Sequence, residues 1–196
     1  KEYYRYPSPM LQRYCRKFVD RGASLVICQH NHCVGSREDY NGGSIIYGQG
    51  NFIFNSEFYV NHRDFVKDSL LIRVEATKDS FVICELPIRM SDNGTRLATD
   101  AEAAETLAGY KKRSEEIKDA HFVISNYKAF ADTHVKRYLR EFLGRSFIIR
   151  AINALFGRKL MQLILGPTSY LAIQNYLECE AHHELFLRGI KNINKK

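Results

Sequence analysis

The chain has 196 residues, of which 45% are hydrophobic and 26% are charged. This composition is typical of a folded globular protein and excludes a low-complexity or disordered chain. The sequence contains neither the run of about 18 apolar residues that a membrane-spanning helix needs nor a visible secretory signal pattern.

The net charge of +7 and the five cysteines limit the class of partner and compartment. The charge is uneven, because residues 1–100 carry a net +1 and residues 101–196 a net +6. A basic half suits an anionic polymer, a nucleic acid or a membrane surface, or it forms a solvated face. The basic and aromatic motifs of nucleic-acid binders do not stand out, so we expect no nucleic-acid partner. Scattered cysteines in odd number are not a disulfide framework and fit a reducing compartment better.

The first predicted element is a helix that begins after Ser8, has Pro9 at its first position and ends at Gly22. Its apolar stripe is Met10, Leu11, Tyr14, Cys15, Phe18 and Val19. The apolar run at 25–28 follows at once and predicts a buried strand. A helix, a short turn and a buried strand are typical of a layered α/β fold, in which ligands bind at the carboxyl ends of strands.

Two histidines, His30 and His32, follow this predicted strand. Neutral imidazole nitrogens are common ligands of zinc and similar ions, so the pair predicts a candidate metal site. Ordinary surface or hydrogen-bonded histidines remain the alternative. Cys28 and Cys33 bracket the pair and raise a Cys/His zinc site as a further alternative, although Cys28 falls inside the predicted strand.

A second apolar strand is predicted at 44–47 and is followed by Gly48-Gln49-Gly50-Asn51. Two glycines so close together indicate a strained turn or a close approach of the backbone to another group. Residues 55–68 are polar and aromatic and predict a loop, which contains His62.

The remaining pattern changes from strands to helices. Residues 69–75 and 81–86 predict a hairpin, and Pro87 is expected to end the sheet. Thr99 and Glu102 have the spacing of a capping box, which marks the start of a helix. The predicted helices are 99–117, 121–142, 146–164 and 168–189.

Two segments resemble the CapA family of bacterial capsule and poly-gamma-glutamate biosynthesis proteins, which are similar to calcineurin-like metallophosphoesterases. Residues 22–32 resemble the family pattern G-A-D-x-V-I-G-x-H-P-H, and residues 43–54 align in order and spacing with the last twelve positions of G-K-P-I-x-Y-S-x-G-N-F-x-F. Cys28 and Asn31 stand where the family has glycine and proline. The resemblance covers residues 1–98 and implies the C-terminal portion of a metallophosphoesterase-like layered α/β sandwich. A helical region over residues 99–196 follows it.

By this resemblance, His30 and His32 are ligands of divalent metal ions, with manganese, zinc and iron as candidates. The residues that it implies to shape the site or to support its ligands are Glu2, Gly50, Asn51 and His62. A two-metal hydrolytic site also needs carboxylate and asparagine ligands, and the family carries these upstream of the position of Lys1. We therefore expect the C-terminal part of a longer protein, with a site that is incomplete and inactive in this chain alone.

The implied function is a metal-dependent, phosphoesterase-like hydrolase of capsule or exopolymer synthesis. The alternative is a non-enzymatic scaffold or accessory subunit of a polymer synthesis or export complex. The expected partners are the N-terminal half of the same protein, an anionic polymer, proteins of the biosynthesis complex and a second copy of the chain. The family implies the cell envelope as the location, with the cytoplasm as the alternative.

Overall fold

The computed structural model describes residues 3–53, 64–78, 80–91, 94–142, 147–157, 159–160 and 164–179. Two compact units are present, and they divide between Ala131 and Asp132. The helices are α1 (Pro9–Asp20), α2 (Asp100–Glu116), α3 (Ala120–Phe142), α4 (Phe147–Leu155) and α5 (Pro167–Glu178). The strands are β1 (Leu25–Ile27), β2 (Arg37–Tyr40), β3 (Gly43–Ile46), β4 (Asp68–Ala76), β5 (Phe81–Ser91) and β6 (Gly94–Leu97). This mixed content confirms the α/β class.

Helix α1 begins as the sequence predicts. The Ser8 side chain accepts a hydrogen bond from the Leu11 amide at 3.2 Å, and Pro9 occupies the first helical position, where its missing N–H costs nothing. The apolar face buries Cys15 and Val19 in a core that also contains Ile45 and Ile117. Helix α1 therefore packs on the sheet that carries β1 and β3.

The first sheet has the order β1-β3-β2 and is built around β3, all four residues of which are buried. Strand β1 lies parallel to β3, with Leu25 opposite Ser44, and β2 runs antiparallel to β3. Strand β1 is less buried than its apolar sequence indicates, because it lies at an edge of this sheet, and Ile27 is 40% exposed. The sequence did not reveal β2, since Arg37–Tyr40 is mostly charged.

The second sheet is the antiparallel ladder β4-β5-β6, and its hairpin was predicted. The expectation that Pro87 ends the sheet is wrong, because β5 continues to Ser91 and pairs Pro87 with Leu70. The Leu70 amide donates to Gln49 and so points away from β5. The missing N–H of Pro87 therefore faces the side of β6. Strand β6 ends at Leu97, which pairs with Ile88, so no residue of β6 pairs with Pro87.

Helix α2 belongs to the first unit, although the sequence placed a boundary at residue 98. Its Tyr110 packs against Val34 and Leu70, and the Ser114 hydroxyl accepts from the Arg37 amide at 2.8 Å. These contacts join the helix to both sheets, so the compact unit extends past the hairpin.

The predicted capping box of α2 is confirmed, and the hydrogen bonds of its Glu102 carboxylate are sensitive to acid. Glu102 accepts from the Thr99 amide at 2.8 Å and receives two hydrogen bonds of 2.7 Å from the Arg96 guanidinium. This bidentate pair with Arg96 lowers the pKa of Glu102 to about 2, and the bond from Thr99 adds to the effect.

We expect Arg96→Gln to move the pKa of Glu102 back toward the ordinary value of 4.5. Because the folded-state pKa lies below that value, the stabilisation from the carboxylate is fully present above it. That stabilisation is lost as the pH falls toward about 2. A carbon-detected NMR titration of the Glu102 carboxyl from neutral pH into acid measures both midpoints. An identical midpoint in the wild type and the variant would contradict the assignment.

The second unit holds α4 and α5, which are shorter than the predicted helices 146–164 and 168–189. Helix α4 ends at Leu155, just before Gly157 adopts a positive φ of 58°. Residues 180–189 of the last predicted helix lie outside the described residues. Within the described part of the chain, no helix is both long enough and apolar enough to cross a membrane.

Candidate functional site

The carboxyl ends of β1 and β3 lie side by side because these strands are parallel neighbours. The Cys28 amide donates to the Ile46 carbonyl at 2.8 Å, so the chain is still held to β3 where the loop to the histidines begins. The segment after β3 leaves the sheet at the same edge. The two segments that the sequence predicts to form one site therefore start next to each other.

His30 and His32 lie close together, with 5.8 Å between their ring centroids. His30 is exposed and His32 is half-buried. Both have a left-handed backbone, with φ of 81° at His30 and 55° at His32. This conformation costs a residue with a Cβ roughly 1–2 kcal/mol, and such strain clusters at ligand and active sites. The backbone therefore favours a functional interpretation of the pair over ordinary surface histidines.

Asn51 fixes the orientation of the His32 ring. The His32 Nδ1 and Asn51 Oδ1 atoms are 2.8 Å apart, and the Asn51 amide nitrogen donates to the His32 carbonyl at 3.4 Å. An amide oxygen can only accept, so Nδ1 carries the proton and the Nε2 lone pair is the one suited to a metal. Metal-binding histidines commonly donate the other ring N–H in this way.

Asn51 is itself held by the start of β4. It is only 7% exposed, and its carbonyl accepts from the Ser69 hydroxyl at 2.6 Å. The preceding Gly50 has a φ of 85° and lies against the backbone of Asp68 and Ser69. The asparagine that holds His32 is thus anchored to the second sheet by a tight backbone crossing.

Two further residues line the histidine loop. The Tyr3 ring stacks on His32 at a centroid distance of 5.8 Å, and its amide donates to the Asn31 carbonyl at 2.7 Å. The buried Asn31 side chain donates to the Tyr47 carbonyl at 3.2 Å and fills the space beside Gly48, where a Cβ would collide with it. Asn31 therefore replaces the proline of the family pattern with a hydrogen bond across the two segments.

The two histidines are the residues of this site that could hold a divalent metal ion. Two imidazoles, one of them oriented by an amide, are ligand types that suit zinc or iron, whereas manganese prefers oxygen ligands. Among the described residues, no group of three or more His, Cys, Asp and Glu side chains could hold an ion. A catalytic zinc takes about three protein ligands, so the described part of the chain supplies a partial set.

The other candidates for this site are not brought to it within the described residues. Glu2 and His62 lie outside them. The Cys28 sulfur contacts Cys15 at 3.5 Å, and Cys33 is fully buried. With those positions and no three-residue donor group among the described residues, the structure offers no support for the Cys/His zinc alternative.

A buried arginine on α2 holds the backbone that follows the two histidines. The Arg113 guanidinium of α2 donates to the Gly35 carbonyl at 2.7 Å and to the Val34 carbonyl at 3.2 Å. The Arg5 side chain also donates to Val34, at 3.3 Å. Arg113 is 6% exposed, and burial lowers its pKa to about 10, so it is still protonated at neutral pH. Helix α2 thereby fixes the backbone that follows His32.

Sequence reasoning did not identify Tyr3, Ser69 or Arg113 as supports of the site. Tyr3 and Arg113 lie far from the histidines in the chain, and a tyrosine or a helical arginine is usually a surface or packing residue. Ser69 was placed in a strand with no sign that its hydroxyl would meet the turn after β3. The two close glycines at 48 and 50 were the one available signal of a tight crossing.

A separate cleft of about 610 Å³ lies on the opposite edge of the first sheet. Its lining is Arg16, Arg37, Glu38, Asp39, Tyr110, Lys111, Ser114, Glu115 and Lys118. Its charges pair with one another, as in Arg16–Glu38 at 2.5 Å and Arg37–Asp39 at 2.9 Å. The histidines are not part of it.

Comparison with known proteins finds similarity in the part of the chain that carries these residues. Residues 1–56 match the family model described as bacterial capsule synthesis protein. The capsule biosynthesis protein CapA of Bacillus anthracis is 28% identical over 102 residues. That match covers 52% of this chain and 24% of the relative, so the chain aligns with about a quarter of the relative's length. The family-model match includes both histidines and Asn51, and this part of the chain is similar to the CapA family of bacterial capsule synthesis proteins.

Proposed function

We propose that this chain takes part in bacterial capsule synthesis and contributes two histidine ligands to a divalent metal site of a phosphoesterase-like hydrolase. The match of residues 1–56 to capsule synthesis proteins supports the process. The histidine loop supports the chemistry. Poly-gamma-glutamate is the candidate polymer, and a phosphoryl or acyl group of its assembly is the candidate substrate.

The observation that carries the metal proposal is the contact between His32 and Asn51. A hydrogen bond of 2.8 Å at Nδ1 selects the tautomer in which Nε2 can bind a metal. The left-handed backbone at both histidines is a cost that ordinary surface residues would not retain. Together these features support the proposal that the two histidines are oriented before a metal ion binds.

Each residue has a distinct role in the proposed chemistry. A bound divalent ion would polarise the substrate and lower the pKa of a water molecule. His32 would bind that ion through Nε2 while Asn51 holds its ring, and the exposed His30 would supply a second nitrogen. The remaining ligands would come from outside the described residues.

The test is a chromosomal His32→Ala substitution in the bacterium that makes the protein, with surface polymer as the readout. We expect polymer to fall at least about tenfold, the scale on which loss of groups that orient a metal ligand acts. His121→Ala is the matched control, because His121 is an exposed histidine on α3 and should leave polymer unchanged. Full polymer production in His32→Ala would refute the metal proposal.

A non-enzymatic scaffold is the second candidate, and one observation favours it. Helices α4 and α5 expose large apolar side chains, with Phe147 at 83%, Leu155 at 84% and Leu171 at 64%. Apolar faces of this kind suit a protein partner. A strain in which the chain stops after Ala131 separates the candidates. A scaffold requires that this truncation abolish polymer while His32→Ala does not.

A further inference from the structure

Two cysteines meet between α1 and the strand that leads to the histidines. The Cys15 and Cys28 sulfurs are 3.5 Å apart, although thirteen residues separate them in the chain. Cys15 lies inside α1, and the Cys28 backbone is bonded to Ile46 of β3. Because both backbones are held by regular structure, the contact follows from the packing of α1 on the sheet.

We propose that Cys15 and Cys28 form a reversible intramolecular disulfide, which ties α1 to the end of β1 two residues before His30. A disulfide needs a sulfur–sulfur distance of about 2.05 Å. The two sulfurs, which are 3.5 Å apart, must therefore approach each other by about 1.5 Å. The modification does not depend on the proposed metal site.

The oxidant is a small disulfide of the glutathione class, and the exchange balances in two steps. The Cys28 thiolate attacks one sulfur of RS–SR, forms a mixed disulfide and releases RS⁻. The Cys15 thiolate then attacks the Cys28 sulfur, forms the protein disulfide and releases the second RS⁻. Two protein thiols lose two protons and two electrons in total, and one RS–SR becomes two RSH.

The accessibility of the two thiols fits this order. Cys28 is half-buried and within reach of a small reagent, whereas Cys15 is 3% exposed and is reached only through Cys28. The more accessible Cys28 sulfur is therefore the one that a small disulfide reagent meets first.

The test equilibrates the 196-residue chain with oxidised and reduced glutathione, quenches it with acid and maps it after trypsin digestion. We expect the tripeptide of residues 14–16 to be linked to the peptide of residues 22–37. Because that second peptide also contains Cys33, fragmentation must assign the bond to Cys28. The linked fraction should fall with the square of reduced glutathione, as an intramolecular disulfide requires, and oxidation should raise the thermal unfolding midpoint.

Two variants make the outcome decisive. Cys28→Ser should abolish the linked peptide, and it changes a half-buried residue, so folding can be checked by circular dichroism. Cys84→Ser changes a cysteine on β5 and should leave the linked peptide unchanged. A bond to Cys33, a product that stops at glutathione-modified Cys28, or no linked peptide in the oxidised wild type would each overturn the proposal.

Discussion

Replacing Gly50 by alanine is expected to lower the free energy of unfolding of the first unit by about 3 kcal/mol or more. Gly50 has a φ of 85°, which disfavours any residue with a Cβ. An added Cβ would lie 2.7 Å from the Asp68 carbonyl oxygen and 2.7 Å from the Ser69 hydroxyl. One of these atoms is backbone, so relief requires the β4 strand to move away from the turn.

Gly42→Ala is the matched control for this prediction. Gly42 has a φ of 80°, but a Cβ there would meet nothing within 4 Å. It should therefore cost only the conformational penalty, about 1 kcal/mol. Amide hydrogen exchange of the buried strand β3, measured in increasing urea, reports both losses. Equal losses in the two variants would show that the crossing at Gly50 is looser than the structure describes.

Replacing Arg113 by methionine is expected to cost about 2–3 kcal/mol. The substitution leaves the buried Gly35 carbonyl without its 2.7 Å partner and weakens the hold on Val34, to which Arg5 still donates. Hydrogen bonds from charged donors contribute roughly 1.5–3 kcal/mol each. Removing a buried charge recovers part of the loss, because burial already lowers the pKa of Arg113 to about 10.

The neighbouring Lys112→Met is the control for Arg113. Its ammonium is 3.9 Å from Glu116 and its side chain is 76% exposed, so its removal should change stability by less than about 0.5 kcal/mol. Exchange at β3 again measures both variants. Arg113→Met should also release the backbone after His32, so resonances of the histidine loop should shift in that variant alone. A stable variant with unchanged loop resonances would contradict the role of Arg113.

The sequence predicted the elements whose signals are local. Helix α1 has a cap and an apolar stripe, and α2 has a capping box that the structure forms. It missed β2, because a charged edge strand has no apolar alternation, and it ended β5 too early at Pro87. Proline is tolerated there because its missing N–H faces β6 at a position where β6 has already ended. This depends on the register of the strands, which cannot be inferred from the identity of one residue.

The sequence predicted the central residues of the candidate site but not the residues that support them. The spacing of the histidines pointed to His30 and His32, and the family resemblance pointed to Asn51; the structure places His32 and Asn51 in contact. Their supports, Ser69 and Arg113, are distant in the chain and become neighbours only after the second sheet and α2 have packed. Glu2 and His62 stay predictions, as do the metal ion and its remaining ligands.

The left-handed backbone at His30 and His32 has a consequence for protein engineering. Glycine adopts this conformation without a steric penalty, so a search for thermostability that scores backbone geometry alone will favour glycine at these two positions. Stability and the candidate chemistry therefore select opposite residues at the same place. A design that optimises the stability of this fold must therefore exclude both histidines from mutation. Otherwise the first stabilising substitutions will remove the two imidazoles of the candidate site.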